Sequence, residues 1–321
     1  LPCVVSLAAF AAAPAFARRP TSKASPTPSP VSTPAATPLS AEARVERLRT
    51  RVAEIAHAAP GRLGVTIVDI MLGTHIAVRG GEAFPLASTY KLTIALTAFR
   101  RADQHRFDLD ARTLVTAADL RDYSAIAEMH PQGNASLANW ELVRAMLVDS
   151  DNTASDLVLH AIGGPSAVQG VLDRLNFRGF AIRKTEADMA ADARAGRTFA
   201  RGGDNAGTPD AVAALLEGLV SQRLLFEDST YELLGMLGEA RTGAARLRAG
   251  LPPDAKLAHK TGTSATLDGV TDATNDAGVL TLPDGRRIVI VALLNASPAP
   301  SAAREATLAD VARAAYEAYG P

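Results

Sequence analysis

Ser88-Thr89-Tyr90-Lys91 sets a hydroxyl and an amine three residues apart, a spacing that brings both side chains onto one face of a helix. Pro85-Leu86-Ala87 precedes the tetrad and an apolar-periodic stretch runs on to Phe99, so Ser88 stands at or near a helix start. A serine hydroxyl becomes a useful nucleophile only when a base removes its proton. A lysine in a desolvated, cationic setting has its pKa lowered enough to help, and a helix start offers unpaired N–H groups to a developing oxyanion. Alone the pair says little, because one S-x-x-K is expected by chance in roughly every 300 residues. The plain alternative is a helix cap followed by a surface lysine.

Two triplets change that balance. Ser150-Asp151-Asn152 stands just before the helical run Thr153 to Ile162, where Ser or Asp would also serve as an N-cap. Lys260-Thr261-Gly262 lies on a strand leading into Thr263 and Ser264. Each exact triplet would arise by chance in well under roughly a tenth of chains this long. All three motifs, in this order and at domain-scale spacing, are a strong signal.

The set STYK, SDN and KTG at 88, 150 and 260 resembles the signature elements of class A β-lactamases and related penicillin-binding proteins. The resemblance covers about Ala41 to Pro321. Asp119-Leu120 with Tyr123-Ser124, Thr208-Pro209, Thr242-Gly243 and Arg248-Ala249-Gly250-Leu251-Pro252 match locally as well. It implies that Ser88 attacks the lactam carbonyl, and that Lys91, or Glu186 acting through a water, takes the proton. Backbone N–H groups of Ser88 and Thr263 would form the oxyanion hole. Ser150 would protonate the departing nitrogen, Asn152 would hold the side-chain amide, and Lys260 with Thr261 would bind the substrate carboxylate. Arg246, 14 residues before Lys260, matches a position that often adds a second positive group, and Tyr123 matches an aromatic at the entrance. Surface residue and substrate contact remain equal alternatives for both.

Glu186, 34 residues after Asn152 in Lys184-Thr185-Glu186-Ala187-Asp188-Met189, stands where the family carries the glutamate that activates the deacylating water. Its plain alternative is an exposed loop carboxylate. Two positions depart from the pattern. Ala190 replaces the usual asparagine, and Lys184 replaces an arginine that pins the loop through a bidentate contact a lysine cannot copy. The pairing of Glu-Ala-x-Met with Ala-Thr-Asn-Asp, and the long stretch Thr263 to Thr274, is similar to the PER-type branch and implies a roomy, cephalosporin-biased site. Ala87 precedes the nucleophile, so the active-site disulfide of several carbapenem-hydrolysing relatives is excluded. A penicillin-binding DD-peptidase, or a non-hydrolytic β-lactam-binding sensor, would use the same serine, lysine and KTG without needing Glu186.

The elements that must position these residues follow from periodicity. Val45, Leu48, Val52 and Ile55 mark an amphipathic helix ending before Pro60-Gly61. Leu63–Ile70 and His75–Arg79 read as strands around a Leu72-Gly73-Thr74 turn. Most of 88 to about 237 reads as helices. Strands return at Lys256–Thr263, Thr274–Leu282 and Arg287–Leu294, before a final helix from about Ala302 to Tyr319. Strands joined by tight turns must pair antiparallel. The fold class expected is α+β: an α/β sandwich whose antiparallel sheet is covered by the terminal helices, with an inserted all-helical lobe. This is a β-lactamase/DD-peptidase-like arrangement, with lobes at 41–84 plus 238–321 and at 85–237 and the site between them.

The chain of 321 residues has a net charge of −1, which gives no electrostatic reason to expect nucleic acid or an anionic membrane as a partner. Residues 1–18 read as a secretory signal with Ala15-Phe16-Ala17 as cleavage site, its start truncated because the basic n-region and initiator Met are absent. Residues 19–40, rich in Pro, Ser, Thr and Ala, read as a disordered tether. Export to the periplasm or medium follows, without stable membrane insertion. Cys3 is the only cysteine and lies in that signal, so the mature protein would hold no disulfide. The six histidines show no H-x-H or HExxH spacing and no GxxxxGK[ST] loop occurs, so no metal or other cofactor is expected. The partner expected is a small β-lactam, bound by a monomer.

Overall fold

Ile288, Ile290, Ala292 and Leu294 alternate with Val289, Val291 and Leu293 along Arg287–Asn295, and both sets are buried. Successive strand side chains point to opposite faces, so this strand needs apolar cover on both sides. The computed structural model describes residues 40–320 apart from Gly202 and Gly203. In it, that strand is central to an antiparallel sheet formed by β1 (Arg62–Asp69), β2 (Thr74–Val78), β3 (Lys256–Thr263), β4 (Thr274–Thr281) and β5 (Arg287–Asn295). The spatial order is β2-β1-β5-β4-β3, so both chain ends build one sheet, as the tight turns require. Register is set by apolar pairs such as Val65 opposite Ala292 and Ala277 opposite Val291. The segments assigned from sequence to signal and tether lie outside the described residues, except Ser40.

Ser40 caps α1 (Ala41–Ala58) by accepting a hydrogen bond from the Ala43 N–H. Leu48, Val52 and Ile55 of α1 and Leu308, Val311 and Ala315 of α10 (Ser301–Tyr319) pack on the Ile288–Leu294 set. The opposite face, with Val289, Val291 and Leu293, joins a larger core with Phe84, Leu96, Phe99 and Leu215. That core draws on α2 (Lys91–Asp103), α3 (Ala125–Met129), α4 (Asn139–Val148), α5 (Asn152–Ala161), α6 (Gly164–Arg174), α7 (Glu186–Arg194), α8 (Pro209–Val220) and α9 (Glu227–Gly238). The two stretches expected as separate lobes belong to one compact unit. The inserted stretch is not wholly helical. Arg112–Thr116 pairs with Gly133–Ala138, and Phe84–Pro85, Ala206–Gly207 and Phe180–Ala181 form a small ribbon. Such short strands carry too few alternations to stand out against the helical pattern around them. Among the described residues no helix is long and apolar enough to cross a membrane.

One close approach organises the centre. β3 is an edge strand, and it lies against the 3-10 turn Ala87–Tyr90 that leads into α2. A Cβ at Gly262 would sit 2.5 Å from the Leu86 carbonyl and 2.7 Å from the Thr89 hydroxyl, so only glycine lets strand and turn meet there.

Candidate active site

Ser88 sits in that turn, half-buried on the wall of a cleft of about 910 Å³, and its hydroxyl makes no hydrogen bond among the described residues. Lys91, one turn on, is fully buried. Its Nζ donates to the Ser150 carbonyl and to Asn152 Oδ1, both at 2.7 Å, and lies 3.1 Å from Glu186 Oε1. The Glu186 contact is an ion pair without hydrogen-bond geometry, and Oε1 accepts no hydrogen bond among the described residues. Glu186 is only 8% exposed, at the first position of α7, and is not an exposed loop carboxylate. Lys260 Nζ, on β3, donates to Ser150 Oγ at 2.8 Å and to the Thr261 carbonyl at 3.0 Å. Burial, and then the nearby Lys91 charge, hold its pKa well below the ordinary lysine range. The three motifs and Glu186 therefore meet in one chain of polar contacts.

Ser264 N–H bonds to the Ala273 carbonyl across β4, so the preceding residue, Thr263, turns its N–H to the free edge of β3 on the Ser88 side. Thr261, almost buried, shares a 2.6 Å hydrogen bond with the Thr242 hydroxyl. Tyr123 is 89% exposed on the cleft rim. Arg246 is only 6% exposed, which removes the surface alternative. Its guanidinium donates to the Gly262 and Asn275 carbonyls and to Thr263 Oγ1, and pairs with Glu305 at 3.1 Å. Those bonds make it a brace for β3 as well as a charge beside the cleft.

Several positioning residues went unannounced. Asp156 on α5 accepts from the Glu186 N–H at 2.7 Å and the Ala187 N–H at 3.2 Å, and pairs with Arg121 at 2.8 Å. Asn205 accepts from the Arg183 and Lys184 N–H groups and donates to the Lys184 carbonyl. Lys184 and Arg197 both reach Asp192. The loop lacks its expected arginine yet is pinned by this amide clamp and by the Asp192 cluster. Asn275 donates to the Pro85 and Leu86 carbonyls, tying β4 to the nucleophile turn. The Ala-Thr-Asn-Asp match marked this residue without revealing that tie. Among the described residues, no three His, Cys, Asp or Glu side chains gather to hold a metal ion.

Strain gathers at the cleft. Ala87 (φ 43°), Tyr123 (φ 55°) and Ser150 (φ 60°) all occupy the left-handed region without being glycine, and all line the cleft. Ser150→Gly should therefore be more stable than Ser150→Ala by about 1 kcal/mol, with hydrolysis falling about a hundredfold in both as the hydroxyl that holds Lys260 is lost. Urea titration and steady-state kinetics on the two variants check both; a glycine variant no more stable than the alanine one would refute the strain assignment.

Asp204, also on the cleft wall, accepts from the Asn205 N–H at 2.7 Å, and burial pushes its pKa up to about 7, with the Glu186 charge adding to the rise. A carboxyl whose folded pKa is raised weakens the fold progressively as pH climbs from its unfolded value to the folded one. Asp204→Asn should thus be neutral near pH 4 and stabilising at pH 8, on the order of 2–4 kcal/mol. Chemical denaturation at the two pH values tests it; equal effects at both would refute it.

A serine at a helix start, a buried lysine beside it, a second serine on a second lysine and an outward strand N–H define a serine acyl-transfer hydrolase on an α+β scaffold. The Beta-lactamase enzyme family matches residues 47–319, and the chain belongs to that family. It is 31% identical to the extended-spectrum β-lactamase PER-1 of Pseudomonas aeruginosa, over 74% of this chain and 75% of that protein. It is 33% identical to β-lactamase L2 of Stenotrophomonas maltophilia, over 84% and 86%. Among solved structures, a β-lactamase from Chitinophaga pinensis superposes with a TM-score of 0.80 at 33% identity, covering 84% of this chain and 98% of that one. These relatives place the chain among class A serine β-lactamases, with the family-wide fold expected from the sequence.

Proposed function

We propose that the protein opens the β-lactam ring through a Ser88 acyl-enzyme and releases it with water activated by Glu186. The observation that carries this is Lys91, whose one buried ammonium touches Ser150, Asn152 and Glu186 together. Ser88 Oγ attacks the lactam carbonyl carbon, and its proton passes through a water to Glu186, or to Lys91 as the neutral amine it becomes once its own proton has moved to Glu186. The developing oxyanion is met by the N–H groups of Ser88 and Thr263. The C–N bond breaks, the ring nitrogen takes the Ser150 proton, and the proton removed from Ser88 replaces it on Ser150 Oγ, which Lys260 holds by its hydrogen bond. Glu186 Oε1 then removes a proton from the water that attacks the ester carbonyl, the bond from that carbon to Ser88 Oγ breaks, and the same proton passes to Ser88 Oγ to restore the hydroxyl. Asn152 holds the side-chain amide, and Lys260 with Thr261 binds the substrate carboxylate, Arg246 reinforcing the positive field and Tyr123 walling the entrance.

Time-resolved mass spectrometry with ring-opening absorbance tests this. Continuous turnover with transient acylation of Ser88 is expected; one persistent stoichiometric adduct on the unmutated protein would overturn it in favour of a penicillin-binding protein or sensor.

The named activity of PER-1 and the ribbon Thr266–Leu267 with Val270–Thr271, whose Leu267 lines the cleft, support a bias toward bulky oxyimino-cephalosporins. Equal or better kcat/KM for benzylpenicillin would remove that bias. The protein is exported in this scheme, on the strength of the Ala15-Phe16-Ala17 signature.

A further inference from the structure

A second cavity of about 560 Å³ lies between α9 and the strands β3 and β4, next to the catalytic cleft but sharing only Thr242 among its lining residues with it. Its making is legible in the register. Lys256 on β3 stands opposite Thr281 on β4, which stands opposite Arg287 on β5. Residues directly opposite on neighbouring strands share a face, so the three form one row about 10 Å long at ordinary strand spacing. One pair further along, Ala258 faces Val279 and supplies an apolar floor. The far wall is one face of α9, where Tyr231, Leu234, Gly235 and Gly238 follow at helical spacing. A Cβ at Gly235 or Gly238 would meet nothing within 4 Å, so the two glycines hold the space open.

The charges at this cavity are unbalanced. No aspartate or glutamate lines it. Arg241 is paired with Asp149, and Arg248 donates to the Ala255 and Pro252 carbonyls. Lys256 and Arg287, by contrast, have no hydrogen-bond or ion-pair partner for their side chains among the described residues. An ammonium and a guanidinium flanking a threonine hydroxyl, above an apolar floor, form a receptor for a carboxylate on an apolar body.

We propose that this groove is a second ligand site, separate from the catalytic cleft, that takes small amphipathic carboxylates. The carboxylate sits on the Lys256–Thr281–Arg287 row, and the apolar body lies over Ala258 and Val279 against the glycine face of α9.

The test uses 2-naphthylacetate and its neutral isostere 2-naphthylacetamide, followed by backbone amide NMR titration of the whole protein and of Ser88→Ala, so that the result does not depend on hydrolysis. Saturable binding of the acetate is expected in both proteins, with shifts concentrated on α9 and on the Lys256 end of β3. The amide should bind at least about tenfold more weakly, and Lys256→Gln with Arg287→Gln should weaken acetate binding to the same extent. Gly235→Leu, which fills the groove with a better helix former, should abolish binding without unfolding α9. Equal binding of acid and amide, retained binding in the charge-neutral double variant, no saturable binding, or shifts centred on Ser88 and Ser150 would each overturn the proposal.

Discussion

Replacing Glu186 by glutamine is expected to leave Ser88 able to take up one equivalent of β-lactam, while release of the acyl group slows by about 10²–10⁴-fold, the range of a lost general base. A thousandfold loss corresponds to about 4 kcal/mol in the barrier. Oε1 is buried, hydrogen-bonded by nothing among the described residues, and 3.1 Å from the Lys91 ammonium. It therefore has an acceptor to offer a water that no other contact occupies. The amide keeps the shape and loses the basicity. Asp156 still accepts the backbone N–H of residue 186, so the start of α7 stays in place. Intact-mass spectra should show a lasting adduct of one whole substrate, and stopped-flow absorbance should show one burst equal to the enzyme concentration. The burst rate carries a second answer. A burst as fast as in the unmutated protein makes Lys91 the base for acylation, whereas a burst slowed as much as turnover gives both steps to Glu186. Turnover within tenfold of the unmutated protein would remove Glu186 from the mechanism.

The chemistry was far more legible in the sequence than the machinery that aims it. Ser88, Lys91, Ser150 and Lys260 announce themselves because catalysis fixes both residue type and local spacing, and the structure brings all four together. The sheet was equally plain, since the apolar run Arg287–Asn295 marks a central strand and the tight turns permit little except antiparallel pairing. Asp156 and Asn205 were silent, and Asn275 stood out only within the Ala-Thr-Asn-Asp match, not for the contacts it makes. Each holds backbone N–H or carbonyl groups distant in the chain, Asn275 reaching back 190 positions to Pro85. A side chain bonded to a backbone group imposes no residue type on its partner, so no spacing records it. The loss of an arginine at Lys184 was visible, but its replacement by an amide clamp was not. Likewise, a left-handed φ at Ser150 shows only when the backbone is seen.

Lys91→Met is expected to unfold the protein more readily as well as to silence it. The lysine is wholly enclosed, and its ammonium faces the nearly buried carboxylate of Glu186. Removing one member of a buried ion pair leaves an uncompensated charge and destabilises by about 3–5 kcal/mol. At roughly 2–4 °C per kcal/mol for a domain of this size, the melting temperature should fall on the order of 10 °C. The Ser150 carbonyl and Asn152 Oδ1 also lose their donor, which adds to the loss. The double variant Lys91→Met with Glu186→Gln separates these contributions. Removing both charges should restore most of the lost stability, because neutral side chains of similar volume need no partner charge. Activity should stay absent in both. Calorimetry on the four members of this cycle measures the coupling directly. If the double variant is no more stable than Lys91→Met alone, the two groups do not depend on each other for burial. If it recovers, the pair that positions the proton path also anchors α7 to α2, and loosening the fold at this point is inseparable from disabling the reaction.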